Sequence, residues 1–179
     1  MALNFPYFRE LARYEFMGHP DTVIENETLA PREKMQPDTL QIASLGIDTP
    51  LVYADKIDSK LFDHLLAGGV VHYPDTAGIG EKGNSYIFGN SSDYPWKSGG
   101  RFKTIFALLP KIQVGDEIAV SNSSGDKFVY KVTSTKIVAS TDLSVLSQGD
   151  KQKKILTLQT CWPVGTAVKR FIVVAPLEQ

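Results

Sequence analysis

The sequence predicts one mainly β domain with a short helical appendage. Three observations carry this. Short runs rich in β-branched and aromatic residues recur between turn signals from Thr39 to the C-terminal end. Helical spacing is confined to brief stretches. Finally, 179 residues with 42% hydrophobic and 22% charged content suit one sizeable core.

Leu3, Tyr7, Leu11, Tyr14 and Phe16 recur at three- and four-residue spacings, so an amphipathic helix is expected over Asn4 to Met17, with Pro6 in its first turn. Gly18 to Pro37 is polar and interrupted by Pro20, Pro31 and Pro37, an irregular connection. The boundary is placed there, giving an N-terminal helix and connection over 1–36 and a main domain over 37–179. The expected strands are Thr39 to Leu45, Pro50 to Tyr53, Gly69 to Tyr73, Ser85 to Gly89, Glu117 to Ser121, Phe128 to Val138, Ile155 to Thr160 and Arg170 to Ala175. Eight short strands point to a closed barrel or a sandwich. The turn Asn122 to Asp126 joins two of them as a hairpin, which makes antiparallel neighbours the expectation. Short helices are expected at Ser59 to Ala67, ended by Gly68 and Gly69, and at Thr104 to Leu109, ended by Pro110.

Nineteen Lys and Arg against 20 Asp and Glu give a net charge of −1, which argues against a nucleic-acid or membrane-surface partner. No run of about 18 apolar residues occurs and no signal segment opens the chain, so a membrane is expected only through an anchor absent from this sequence. The single cysteine, Cys161, excludes an intramolecular disulfide. No tight cluster of metal ligands stands out, and no cofactor is expected.

Cys161 ends a β-rich run just before Trp162, Pro163 and Gly165 break it, which places the thiol at a sheet rim. Arg170 lies nine positions on, at the start of the last run. If the intervening segment joins antiparallel strands, both side chains face one groove, where a cation favours the reactive thiolate. The alternative is a buried, inert thiol.

Leu156, Thr157, Leu158, Gln159, Thr160 and Cys161 are similar to the sortase signature Thr-Leu-x-Thr-Cys, and Arg170 to Ala175 resembles the arginine strand that follows it. Upstream, His72, Tyr73 and Pro74, Gly83 and Asn84, and Ile87, Phe88 and Gly89 resemble the stretch leading into the family's Gly-His pair. The resemblance covers roughly Thr39 to Pro176. It implies a closed, antiparallel, eight-stranded sortase-type β-barrel. It also implies a cysteine transpeptidase that cleaves a Leu-Pro-x-Thr-Gly-like sorting signal through a thioester and passes it to an amine. The partners implied are a surface protein's sorting peptide and an acceptor such as a cell-wall precursor peptide or a pilin lysine, at the extracellular face of the bacterial membrane.

Carried over, Cys161 is the nucleophile and Arg170 the donor to substrate backbone or oxyanion. The family's histidine position holds Asn90, followed by Ser91 and Ser92. An amide does not titrate near neutrality and cannot carry the proton, so turnover is expected to be weakened. The replacement reads as an introduced substitution that keeps approximate shape while removing proton transfer, as natural loss of activity, or as a case where His72 stands in; the first is favoured. Thr160, Trp162, His72, Ser91 and Val138 are the candidate substrate-binding residues. Trp162 offers either an apolar wall beside the thiol or rim packing. The segment Ile137 to Leu146 and the loop Trp162 to Lys169 are expected to flank the groove. Asp93, Tyr94 and Trp96 form either its opposite lip or a plain turn. His19 and His64 read as surface residues.

Overall fold

Side-chain alternation along the strands decides which way the sheet bends. Leu156 and Leu158 are fully buried while Gln159 and Cys161 are only half-buried, so one face of this strand turns into a core and the other looks outward. The computed structural model describes residues 34–92, 102–150 and 152–178. The expected helix Asn4 to Met17, His19, Asp93, Tyr94 and Trp96 lie outside these residues.

Among the described residues nine strands form one sheet: β1 Thr39–Ile42, β2 Ile47–Tyr53, β3 Val70–His72, β4 Gly83–Phe88, β5 Glu117–Ser121, β6 Lys127–Lys131, β7 Ser134–Ala139, β8 Lys154–Trp162 and β9 Lys169–Pro176. Their order is β6-β5-β1-β2-β3-β4-β8-β9-β7. The expected hairpin through Asn122 to Asp126 is present as β5–β6. Strands β6 and β7 are consecutive, yet they occupy opposite ends of the order. Only Val132 and Thr133 join them, so the sheet must curl to bring its two edges together. The fold is thus a curled half-barrel. Tyr130 bridges to Leu177, and Glu178 donates its N–H to the Val129 carbonyl, both across the β6 edge.

Four expectations are corrected here. The strand expected over Phe128 to Val138 is two strands, because Val132 is buried in the core and the Thr133 N–H turns away to the Val174 carbonyl. Among the described residues the sheet is therefore nine-stranded. Nor is it wholly antiparallel, since β2 pairs with β3 and β4 with β8 in parallel. A parallel pair needs a crossover rather than a tight turn. The β2–β3 crossover carries the one α-helix among the described residues, α1 (Ser59–Leu65), whose first turn is capped by the Asp58 carboxylate accepting from the Leu61 N–H at 2.8 Å. The helix expected at Thr104 to Leu109 is a series of turns ending in a 3-10 helix, Leu109–Lys111. Pro110 has no N–H to continue an α-helical ladder, and the tighter turn does not require one at that position. The strand expected to reach Leu45 stops at Ile42, where a 3-10 turn leads to Gly46 at φ 63°.

Inside the curl, Leu40, Ile42, Ile87, Phe106, Ile118, Tyr130, Leu156, Leu158 and Val173 pack as the main core. Deleting a side chain such as Leu158 costs about 2–5 kcal/mol. A second cluster lies on the outer face of β4, β8 and β9. There Tyr86 and Ile172 are covered by Val145 of a 3-10 helix, Leu143–Leu146, in the β7–β8 connection.

Candidate active site

Cross-strand partners share a face of the sheet, so the pairing registers place each candidate residue. In the β8–β9 ladder Cys161 is paired directly with Arg170. In the β9–β7 ladder Arg170 is paired with Val138. Strand β4 runs parallel to β8 with Phe88 opposite Gln159. Continuing that register by two residues sets Asn90 level with Cys161, on the side away from Arg170. Two bonds hold this extension: the Gly89 N–H donates to the Gln159 carbonyl at 3.1 Å, and the Thr160 hydroxyl donates to the Gly89 carbonyl at 2.9 Å. The candidate site is a row of Asn90, just past the end of β4, then Cys161 on β8, Arg170 on β9 and Val138 on β7.

Local sequence explains the row. Gly89 is buried, and a Cβ there would lie 2.6 Å from the Phe106 ring, so only glycine lets the chain pass between that ring and β8. The Phe106 N–H also donates to the Asn90 carbonyl at 2.9 Å. Cys161 is half-buried at the end of β8, with its thiol unpaired by any disulfide. Arg170 uses one guanidinium nitrogen, Nη1, to donate to the carbonyls of Ala167 and Lys169, both at 3.0 Å. This ties its head to the turn that follows the cysteine.

Beside the row, a groove of about 180 Å³ opens on the outer face, lined by Phe62 of α1, Tyr73, Phe88, Asp142, Gln159 and Arg170 among others. Cys161 is not one of its lining residues. It stands next along the same face, two residues beyond Gln159 and opposite Arg170. Phe62 meets Phe88 edge-on at 5.0 Å and Tyr73 at 5.7 Å, which makes that wall aromatic. The Tyr86 hydroxyl donates to Gln159 Oε1 at 2.5 Å. Burial holds this phenol well above the usual tyrosine range, so it remains a donor. On the other wall Asp142 caps the 3-10 helix by accepting from the Ser144 N–H. Hydrogen bonding from the Ser144 side chain first, and from that N–H second, holds its carboxyl below the ordinary carboxylate value.

Four of the expected substrate-binding residues are not brought to this face. Thr160 pairs with Phe171, Trp162 packs on the main core with its ring 6.0 Å from Phe171, and His72 pairs with Ile87, so all three lie on the inner face. His72 is also three residues back along the ladder, about 10 Å at strand spacing. It is 6% exposed, with Nε2 2.9 Å from the Ala77 carbonyl. Burial lowers its pKa, against the smaller opposing effects of the Ala77 bond and the Glu81 charge. Ser91 is buried, and its hydroxyl has no hydrogen-bond partner among the described residues. Val138 does lie in the row. Sequence reasoning missed Gln159, Tyr86 and Phe62. Parity along β8 could have found Gln159, since it shares a face with Cys161; the other two come from distant segments.

The candidate site thus sets a thiol opposite an arginine, on adjoining antiparallel strands at the rim of a curled β-sheet, and the class of protein this defines is one with the sortase fold. The chain belongs to the sortase family, whose Sortase domain model matches residues 40–178. It is 30% identical over 138 residues to Sortase D of Bacillus subtilis (strain 168), an alignment covering 75% of this chain and 60% of that protein. The alignment thus spans somewhat less than two thirds of this relative. The structure of a Clostridium perfringens Sortase D5 transpeptidase matches with a TM-score of 0.63 at 27% identity, covering 79% of this chain and 78% of that one. Sortase E from Streptomyces avermitilis matches at 0.60 and 26%, covering 80% and 89%. Listeria monocytogenes sortase A shares the fold at 0.64 and 22%, covering 79% and 86%.

Proposed function

We propose that this chain is a sortase-type transpeptidase acting on a Leu-Pro-x-Thr-Gly-like sorting signal through Cys161, and that Asn90 weakens it. The observation that supports this most is the direct pairing of Cys161 with Arg170 beside an outward groove. In this reading the Cys161 thiolate adds to the carbonyl carbon of the signal's Thr, and Arg170 stabilises the oxyanion or holds the adjacent backbone. The Thr–Gly amide bond breaks, the departing amine takes a proton, and a thioester remains. An acceptor amine then adds to the thioester, loses its proton and expels the thiolate. The acceptor is a cell-wall precursor peptide or a pilin lysine.

The proton is where Asn90 matters. Sitting level with the thiol, it occupies the place of a group that should deliver a proton to the first amine and take one from the second, which an amide cannot do. His72 is a poor substitute because it faces the core. The setting is the extracellular face of a bacterial membrane; among the described residues no helix is long and apolar enough to cross one. A second reading, a silent module that binds sorting peptides, is favoured by Asn90 itself, since an amide leaves the groove intact. Incubating the Asn90→His protein and its parent with a Leu-Pro-x-Thr-Gly-like peptide library, and reading thioesters and products by mass spectrometry, separates the two. Turnover by the histidine variant supports the enzyme, while binding without turnover in both supports the module.

A further inference from the structure

The segment that covers the outer face is fastened by two amide side chains far from the thiol. Asn84, on β4, is 5% exposed and uses both ends of its amide. Its Oδ1 accepts from the Thr157 hydroxyl at 2.7 Å, and its Nδ2 donates to the carbonyls of Val145 at 3.1 Å and Ser147 at 3.2 Å. Gln148 is used as fully. Its Oε1 accepts from the N–H groups of Ala77 at 3.3 Å and Asn84 at 3.1 Å, and its Nε2 donates to the carbonyls of Asn84 at 3.3 Å and Leu146 at 3.1 Å. The backbone makes room for this. Gly83 has a φ of 119°, and a Cβ there would lie 2.8 Å from Gln148 Oε1. A glycine at the base of β4 is thus the space into which the Gln148 amide fits.

These bonds terminate on Val145, Leu146 and Ser147, the residues that carry the groove wall bearing Asp142 and Leu143. We infer that Gln148 and Asn84 are positioning residues that hold the 143–148 segment against β4, so that the groove wall beside Arg170 is formed before any peptide arrives. Rigidity of this kind lowers the ordering cost of binding, so its loss appears in affinity rather than in the chemical step. The inference rests on the proposed peptide-binding role of the groove.

The test uses the full chain and three proteins: the parent, Gln148→Ala and Gln148→Glu. The glutamate keeps the volume and the acceptor for Ala77 and Asn84, but places an oxygen against two carbonyls that now accept from Nε2. Hydrogen exchange resolved to residues 143–148 should quicken about tenfold in both variants, the equivalent of one or two lost hydrogen bonds. Binding of a fluorescein-labelled Leu-Pro-Glu-Thr-Gly peptide should weaken by a similar factor. In the Asn90→His background KM should rise while kcat stays within about twofold, a split that a generally loosened fold does not give. The urea midpoint controls for global unfolding. Unchanged exchange in 143–148, or unchanged peptide affinity alongside faster exchange, overturns the inference. A parent that binds no peptide overturns the functional reading instead, and the exchange result alone then decides the fastening.

Discussion

Cys161 and Arg170 are paired partners in an antiparallel ladder, with the turn between them closed by the Arg170 side chain itself. The arginine side chain bonds the carbonyls of Ala167 and Lys169, and in the proposed function it also presents positive charge beside the thiol. Replacing Arg170 with Ala should remove both, slowing transpeptidation in the Asn90→His background by at least about 10²-fold, the scale of losing one preorganised oxyanion donor. Arg170→Lys should recover little, because a single ammonium cannot reproduce the guanidinium fork. Steady-state kcat/KM on a sorting peptide measures this.

Iodoacetamide should alkylate Cys161 in the native protein, since the thiol is half-buried at a strand end rather than enclosed. Mass spectrometry under native and urea-unfolded conditions gives the comparison. A native thiol that reacts only after unfolding counts against the site. Cys161→Ala should leave no thioester in any background.

Restoring Asn90→His should raise turnover by about 10²- to 10⁴-fold, the usual contribution of a placed acid and base. Peptide affinity should change little, because the groove is built from other residues. If the parent already turns over as fast as the variant, Asn90 is not the vacant proton-carrying position.

His72 should govern stability rather than chemistry. Its native pKa lies below the ordinary value of 6.5, so as pH falls beneath about 6.5 the unfolded chain takes up a proton that the native state resists. Its contribution is fully present above that pH and is lost progressively on acidification towards the native pKa. Urea midpoints between pH 7.5 and 5 should fall less for His72→Gln than for the parent, after allowance for carboxylates. Turnover in the Asn90→His background should survive His72→Gln; its abolition would make His72 the working acid.

Gly89→Ala should destabilise by about 1–3 kcal/mol, the scale of overpacking, since the new methyl meets the buried Phe106 ring. Because Gly89 also fixes Asn90 level with the thiol, Gly89→Ala should lower the activity of the Asn90→His protein further than its urea midpoint implies.

Much of this was legible in the residues. The run Leu156 to Cys161 carries both the family signature and the alternation that turns its thiol outward, and Arg170 to Ala175 reads as its neighbour in the same way. What was hidden depends on pairings between remote segments. Nothing in Pro50 to Tyr53 or in Ser85 to Gly89 reveals that each lies parallel to its partner, and the division at Val132 and Thr133 is dictated by where the curl ends rather than by any turn residue. The inner-face positions of Thr160, Trp162 and His72 were hidden for a related reason. Proximity to Cys161 in sequence, or to the groove by analogy, does not distinguish the two faces of a sheet. Gln148 and Asn84 carry no signal beyond being polar, and their bonds exist only once β4 and the β7–β8 connection meet.

The alternation along β8 carries one further consequence, for how such a site changes over generations. Leu156 and Leu158 drop into the interior from the same strand that presents Gln159 and Cys161 to solvent, so shifting the strand by one residue would turn the nucleophile inward and the leucines out. A single inserted or deleted codon within this stretch cannot produce a slightly misplaced thiol. It yields either a protein that fails to fold or one whose register has been rescued elsewhere, leaving point substitution as the route by which chemistry here can drift while the scaffold stays intact. In the function proposed above, Asn90 is a change that this route permits: it takes a proton carrier from the rim and leaves every leucine where it was.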